Sequence, residues 1–308
     1  LFESMQGADP ADAHFIDKVR YKGAKIVAVT PDYAEVSKLA DLWLHPKQGT
    51  DAAIAMAMGH VIMKEFHLER PSAYFTDYVR RYTDMPLLVK LVRSGDRWVP
   101  DRYLRASDFA DGLGQANNPD WKTVALDDGS GAPVSHQGAI GYRWGQKEGE
   151  DKGKWNLEPK DGRNGAEVKL TLSLLDRRDE VLPVAFPYFA GVAPDQFRAN
   201  DQGSDILVRN VPVRKLAKRD GDTMVATVFD LAAANYGIDR GLGGDGVAKS
   251  YDDDVAYTPK WQETITGVKA ADIITVARQF ADNADKTKGK SMIIIGAAMN
   301  HWYHSDMN

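Results

Sequence analysis

Two stretches of this sequence combine ligand-binding residue types with the spacing of loops that follow strands. The first is Gln48-Gly49-Thr50-Asp51. A carboxylate offers two acceptors, and the Watson–Crick edge of guanine offers adjacent N1–H and N2–H donors, so Asp51 matches that edge as a bidentate reader. Asp51 also reads as an ordinary first-turn acid favoured by a helix dipole, worth about 0.3–1 kcal/mol. From the residues alone the plainer reading is favoured. Gly49 fits a tight turn or a backbone whose N–H groups approach a phosphate. Upstream, Asp32 of Thr30-Pro31-Asp32 suits ribose hydroxyls or the cap of a following helix, with the cap favoured. The second stretch opens at Gly296 and runs to Asn300-His301-Trp302-Tyr303-His304. His301 and His304 have the spacing of half a metal site. No acidic or cysteine partner stands at a fixed spacing from them, so a polar cavity lining or a hydrogen-bonded pair is favoured over ligation. His60 reads as a core histidine, and His14, His45, His67 and His136 are scattered. Neither a G-x-G-x-x-G nor a Walker A loop occurs, and no Ser/His/Asp pattern stands out.

The elements that must position these stretches alternate between strand and helix over the first ninety or so residues. Ala24–Val29 is short, β-branched and uniformly apolar, as expected of a strand covered on both faces. Pro31 is placed to open a helix, and Val36, Leu39 and Ala40 recur at helical spacing through Tyr33–Leu42. Leu42-Trp43-Leu44 is a second apolar piece ended by His45-Pro46. From Thr50, read as its cap, a long helix runs through Phe66, apolar nearly all round as far as Met63 and so expected to be buried. The pattern predicts a doubly wound parallel sheet, the Rossmann-like α/β class, whose ligands sit beyond the carboxyl ends of the strands.

Between about Met85 and Thr227 the character changes: Gly and Asp are frequent, Val168–Leu175 and Ile206–Val213 have strand character, and Pro183, Pro187 and Pro194 are expected to break the rest. No helical period is evident there. Helix and strand return near Phe229. Thr258-Pro259 opens a helix ending at Gly267, Asp272–Phe280 is amphipathic, and Ser291–Ile295 reads as a covered strand. The expected organisation is an α/β region over residues 1–88, an irregular, partly β insertion over 89–228, and the start of a second α/β domain over 229–308.

Composition narrows the class. Hydrophobic residues make up 43% and charged residues 27% of the 308, values of a globular chain rather than a fibrous or wholly disordered one. A net charge of −5 favours neither nucleic acid nor an anionic membrane surface. The longest apolar run, Ala52–Ala57 continuing to Met63, falls short of the roughly 20 residues of a membrane span. With no cysteine, the chain supplies no thiolate nucleophile, disulfide or iron–sulfur ligand. Opening at Leu1 without Met, and stopping soon after an apolar run, the sequence reads as a segment of a longer polypeptide.

The segment around Ala40-Asp41, Trp43, Pro46 and Gly49-Thr50-Asp51-Ala52 resembles the cofactor-binding segment of molybdopterin oxidoreductases of the dimethyl-sulfoxide-reductase superfamily. Pro71–Val89, Gly141–Gly145, Lys152–Glu158, Ser250–Asp253 and the final GAAMNHWYHSDMN resemble the catalytic alpha subunits of membrane-bound respiratory nitrate reductases, from Asp12 to Asn308.

The resemblance implies molybdenum held by two molybdopterin guanine dinucleotides, one gripped by each of two related α/β domains. It reverses the preference at Asp51, assigning Gln48, Gly49, Thr50 and Asp51 to one guanosine end with Asp51 on the guanine edge. Thr30, Pro31 and Asp32 fall in the same cofactor-binding set, where the wider superfamily often has Asp-Pro-Arg; that departure leaves a ribose or pyrophosphate role for Asp32 open. Gly296, Asn300 and His301 map to the loop near the pterin, and Asn300, His301 and His304 are the catalytic candidates. No residue of this chain is assigned to the metal. The molybdenum-ligating aspartate and the 4Fe-4S cluster are expected in a stretch preceding residue 1, and the segment by itself is expected to be inactive. The implied reaction is reduction of nitrate to nitrite with quinol-derived electrons. Its implied partners are an iron–sulfur beta subunit and a membrane cytochrome b gamma subunit, which would hold the assembly on the cytoplasmic face of the bacterial inner membrane. Rival expectations are a selenate or chlorate reductase or hydrocarbon dehydrogenase sharing the cofactor loops, and a plain nucleotide-binding α/β module without redox activity.

Overall fold

The computed structural model describes residues 10–33, 35–115, 117–137, 159–187 and 206–295. The chain divides into two compact units, residues 1–70 with 248–308, and residues 71–247.

In the first unit a helix α1 (Pro10–Tyr21) precedes β1 (Val27–Val29), α2 (Glu35–Leu39), β2 (Leu42–Leu44) and α3 (Asp51–Ile62). β1 and β2 pair in parallel, Val27 with Leu42, Ala28 with Trp43 and Val29 with Leu44. The parallel sheet expected from the apolar runs is present, with strands of three residues each. α2 opens later than Pro31 suggested, because Thr30–Asp32 is held in a side-chain turn by a 3.0 Å bond from Thr30 Oγ1 to Asp32 Oδ1. α3 buries Ala53, Ile54, Ala57, Met58, His60 and Val61 but leaves Ala55 exposed, so it is buried on one side rather than all round, and it continues not as α-helix but as a π-helix over Met63–Glu69. Residues 259–287, which the sequence assigns to the beginning of a second α/β unit, form α6 (Pro259–Thr266) and α7 (Ala270–Thr287). The apolar face of α7 joins β1, β2 and α3 in one core of Val29, Leu44, Ile54, Ala57, Val61, Ile273 and Ala277, among others. α6 begins and ends where its sequence signals stand. Thr258 accepts from Trp261 N at its start, Pro259 occupies the first turn, and Gly267 takes a left-handed φ of 81° at its end. Ser291–Ile295 does not form the expected covered strand: Met292, Ile293 and Ile295 are exposed. Ser291 is instead tied to α7, its Oγ donating to Phe280 O and accepting from Asn283 Nδ2.

The second unit contains a helix the sequence analysis missed, α4 (Ala73–Tyr82), capped by Ser72, which accepts from Phe75 N. What reads as an irregular insertion is a closed five-stranded barrel. Its strands are β3 (Leu88–Ser94), β4 (Arg97–Tyr103), β9 (Glu180–Pro187), β10 (Ile206–Lys218) and β11 (Gly221–Thr227). β5 (Ala125–Leu126) pairs with β6 (Pro133–Val134), and β7 (His136–Gln137) with β8 (Lys160–Asp161). β10 is long enough to serve two neighbours, its first half pairing with β9 and its second with β11. Closure rests on one parallel bridge, Trp98 to Val184. A core from all five strands and α5 (Val228–Asn235) fills the unit, with Leu91, Val184, Val211 and Ala226 among its members.

Two sequence expectations fail here. Pro183 and Pro187 lie within β9 rather than breaking it; both are exposed, and a strand with a single bridge on one side has few ladder bonds for a missing N–H to forfeit. Val168–Leu175 is not a strand. Leu170 and Leu174 are buried as its apolar pattern suggests, but Leu174 N donates to the Asp230 carboxylate at 2.7 Å instead of to a neighbouring strand. Pro194 lies outside the described residues.

Candidate functional site

The carboxyl ends of β1 and β2 lie side by side because the strands are parallel, and Thr30 N extends the ladder by donating to Leu44 O at 3.2 Å. Thr30 is fully buried, while Asp32 is exposed. Asp32 accepts from Thr30 Oγ1, and residue 34, at the start of the helix it was expected to cap, lies outside the described residues. Trp43 Nε1 donates to Thr30 O at 2.9 Å and pins its indole across the two strand ends. Three rings meet there: Tyr33 lies edge-on to Trp43 at 5.1 Å between centroids, and His45 is tilted against Trp43 at 4.8 Å.

After β2 the chain makes a tight turn through Lys47-Gln48-Gly49-Thr50. Thr50 Oγ1 donates to Lys47 O at 2.6 Å, and Lys47 N donates to Thr266 O at 3.0 Å, which fastens the loop to the end of α6. Thr50 therefore spends its hydroxyl on the turn and does not cap α3 through its side chain, as the sequence had suggested. Gly49 holds a left-handed φ of 73°, a conformation that L side chains rarely adopt, and a Cβ there would meet nothing within 4 Å. The turn reading of Gly49 holds, and open space stands over its backbone. Gln48 is exposed.

Asp51 opens α3, half-buried. Burial pushes its carboxyl above the ordinary value, against the smaller lowering effect of its own backbone amide. Among the described residues no cation pairs with it. A carboxylate partly withdrawn from water, with free acceptors and no counter-ion, is suited to two N–H donors of a ligand.

A separate polar centre lies on the π-helix. Glu65 is buried and accepts from Arg278 Nη2 at 2.7 Å, Arg70 Nη2 at 2.9 Å and the Tyr251 hydroxyl at 2.8 Å. Burial pushes its carboxyl up, but the hydrogen bonds from Arg278 and Tyr251, with the charges of Arg278 and Arg70, outweigh burial and hold it below the usual value. His60 is buried, as its place on an apolar helix suggests, edge-on to Tyr251 at 5.9 Å.

Gly296, Asn300, His301 and His304 lie outside the described residues. Thr30, Pro31 and Asp32 thus follow β1, and Gln48, Gly49, Thr50 and Asp51 follow β2, on strands that run in parallel. Sequence reasoning missed the Tyr33–Trp43–His45 cluster; aromatic residues flanking the ends of two adjacent strands were the available signal. It also missed Glu65, which carries no local pattern because two of its partners lie near residues 251 and 278. Among the described residues no group of three or more His, Cys, Asp or Glu is placed to hold a metal ion, and no helix is long and apolar enough to cross a membrane.

Comparison with known proteins adds the following. The family described as molybdopterin oxidoreductase matches residues 4–308. The chain is 58% identical over 298 residues to the respiratory nitrate reductase 1 alpha chain of Escherichia coli, covering 96% of this chain and 23% of that protein. It is 42% identical over 296 residues to the nitrate reductase alpha chain of Bacillus subtilis, covering 96% and 22%. Similarity extends at 27% identity over 309 residues to the perchlorate reductase subunit alpha of Dechloromonas aromatica, covering 98% and 25%. The chain spans about a quarter of the length of these relatives.

Proposed function

Because the chain belongs to the molybdopterin oxidoreductase family, we propose that it forms part of a molybdenum-dependent respiratory nitrate reductase and holds one guanosine end of a bis(molybdopterin guanine dinucleotide) cofactor. One observation carries the second half: the half-buried Asp51 carboxylate, which pairs with no cation among the described residues, in the segment that follows the second strand of a parallel pair. The 58% identity to a nitrate reductase alpha chain supports nitrate over the perchlorate of the more distant relative.

Residues of this chain bind and orient. Asp51 accepts from guanine N1–H and N2–H, and the left-handed Gly49 leaves its neighbouring amides accessible to a phosphate. Gln48 and Thr50 shape that turn, and Thr30, Pro31 and Asp32 border the ribose side. When bound, the molybdenum centre supplies the oxygen-atom transfer and the redox chemistry. Asn300 and His301 orient the substrate anion, and His301 or His304 supplies a proton as the departing oxygen becomes water. A 4Fe-4S cluster, an iron–sulfur beta subunit and a membrane cytochrome b gamma subunit deliver quinol-derived electrons at the cytoplasmic face of the bacterial inner membrane.

The test uses the full-length protein. Asp51→Asn places an amide donor against guanine's donors, and molybdenum and guanine nucleotide per protein are expected to fall together, with nitrate reduction by reduced viologen falling alongside. Unchanged nucleotide content and activity would leave Asp51 an ordinary helix-start residue.

A further inference from the structure

Tyr33, Trp43 and His45 form an aromatic surface that folding does not explain. Tyr33 is 62% exposed, His45 is exposed, and none of the three belongs to the core that β1 and β2 share with α3 and α7. An aromatic ring left in water contributes little to stability, since burial of apolar area is the source of that term. The trio is nonetheless ordered. Trp43 is fixed by its bond to Thr30 O, and the other two rings contact it at 5.1 and 4.8 Å between centroids. It also stands at the sheet end where ligands of parallel sheets gather, since Tyr33 follows β1 and His45 follows β2 directly. The loop that begins at His45 delivers Asp51 a few residues later.

We propose that Tyr33, Trp43 and His45 are the stacking face for the purine ring whose edge Asp51 reads. The inference rests on the nucleotide reading above and extends it from the edge of the base to its face. A base has both surfaces: an edge of donors that suits a carboxylate and a π-face that suits aromatic rings.

The experiment follows guanine nucleotide release from the full-length holoenzyme in sub-denaturing urea, detected as guanosine monophosphate after acid hydrolysis. The double variant Tyr33→Leu/His45→Ala is expected to release the cofactor, and its guanine nucleotide with it, about tenfold faster, the size of a lost base–aromatic stack. Tyr33→Phe keeps the ring and is expected to behave as wild type. Wild-type release by the double variant, while Asp51→Asn accelerates it, overturns the stacking face and leaves the nucleotide reading standing. If Asp51→Asn also releases at the wild-type rate, the nucleotide reading itself falls. Release by Tyr33→Phe as fast as by the double variant assigns the effect to the hydroxyl, and a lowered unfolding midpoint in step with release makes the rings structural; each refutes the stack.

Discussion

Asp51 and Asp230 are both carboxylates in the first turn of a helix, one in each unit, and they are used in opposite ways. Asp230 is fully buried and saturated: Ser173 Oγ, Leu174 N, Thr227 Oγ1 and Arg240 all donate to it. Asp51 is half-buried and no described residue pairs with it. The contrast extends to the sheets around them. Closing the barrel uses the strand edges of the second unit, so its polar groups are spent on one another. The parallel pair β1–β2 has three residues per strand and is supported by helices α3 and α7, and the Asp51 carboxylate that follows it pairs with no cation among the described residues. A group available for ligand chemistry is recognised less by its residue type than by bonds it has not made.

The comparison can be broken most forcefully at Asp230. Asp230→Ala in the full-length protein strands Arg240, whose side chain is 7% exposed, and removes the acceptor for Leu174 N; a loss of about 3–5 kcal/mol is expected in urea unfolding of the barrel. A loss below about 1 kcal/mol would mean that the bond network does not carry the unit. Glu65→Gln comes next, at roughly 1.5–3 kcal/mol for weakened charge-assisted bonds to partly exposed arginines. The folded-state carboxyl of Glu65 lies below its ordinary value of 4.5, so its contribution is complete above that value and is lost as pH falls through the lower folded value. Amide exchange across Met63–Glu69 should accelerate over that acid window in wild type and not in the variant.

Asp51 carries the opposite sign. Its folded-state carboxyl is raised above 3.8, so the burden of burying its charge appears as pH rises through 3.8 toward the folded value and is complete above it. Asp51→Asn should therefore stabilise the cofactor-free protein by less than about 1 kcal/mol near neutral pH, and the gain should vanish below pH 3.8. A variant destabilised at neutral pH would show that Asp51 serves the fold. The smallest effect is expected for Arg81→Ala, which removes an exposed i,i+4 pair with Asp77 at 2.7 Å on α4; a shift within about 0.5 kcal/mol in thermal unfolding would mark it as a solvated surface contact.

What the sequence made legible follows the range of the interactions. β1, β2, α3 and α6 are announced by local signals: apolar runs, a Thr-Pro start and a glycine end. The barrel is not, because β3 finds its partner β11 more than a hundred residues away and β10 changes neighbours along its length. Val168–Leu175 shows the limit clearly, since its apolar alternation is real but Leu174 N donates to a carboxylate no local pattern points to. Helix α4 was available and overlooked: Ser72 stands before an amphipathic stretch in which Tyr74, Tyr78 and Tyr82 recur every four residues. At the candidate site, Gly49 and Asp51 were legible by type and position. That no described cation pairs with Asp51 was not, because it depends on what the fold does not bring near.

The π-helix over Met63–Glu69 has a consequence for how this segment tolerates changes of length. Its wider winding aims Glu65 at Arg278 and Tyr251, with Arg70 N reaching back five residues to Glu65 O. Deleting one residue between 65 and 70 would convert that reach into the ordinary helical one of four and turn the following side chains by about 100°, carrying Arg70 away from the carboxylate. Homologous chains that keep the acidic residue at 65 with its arginine and tyrosine partners are thus expected to admit no insertion or deletion here, whereas chains that lose one partner are free to shorten the helix by a residue.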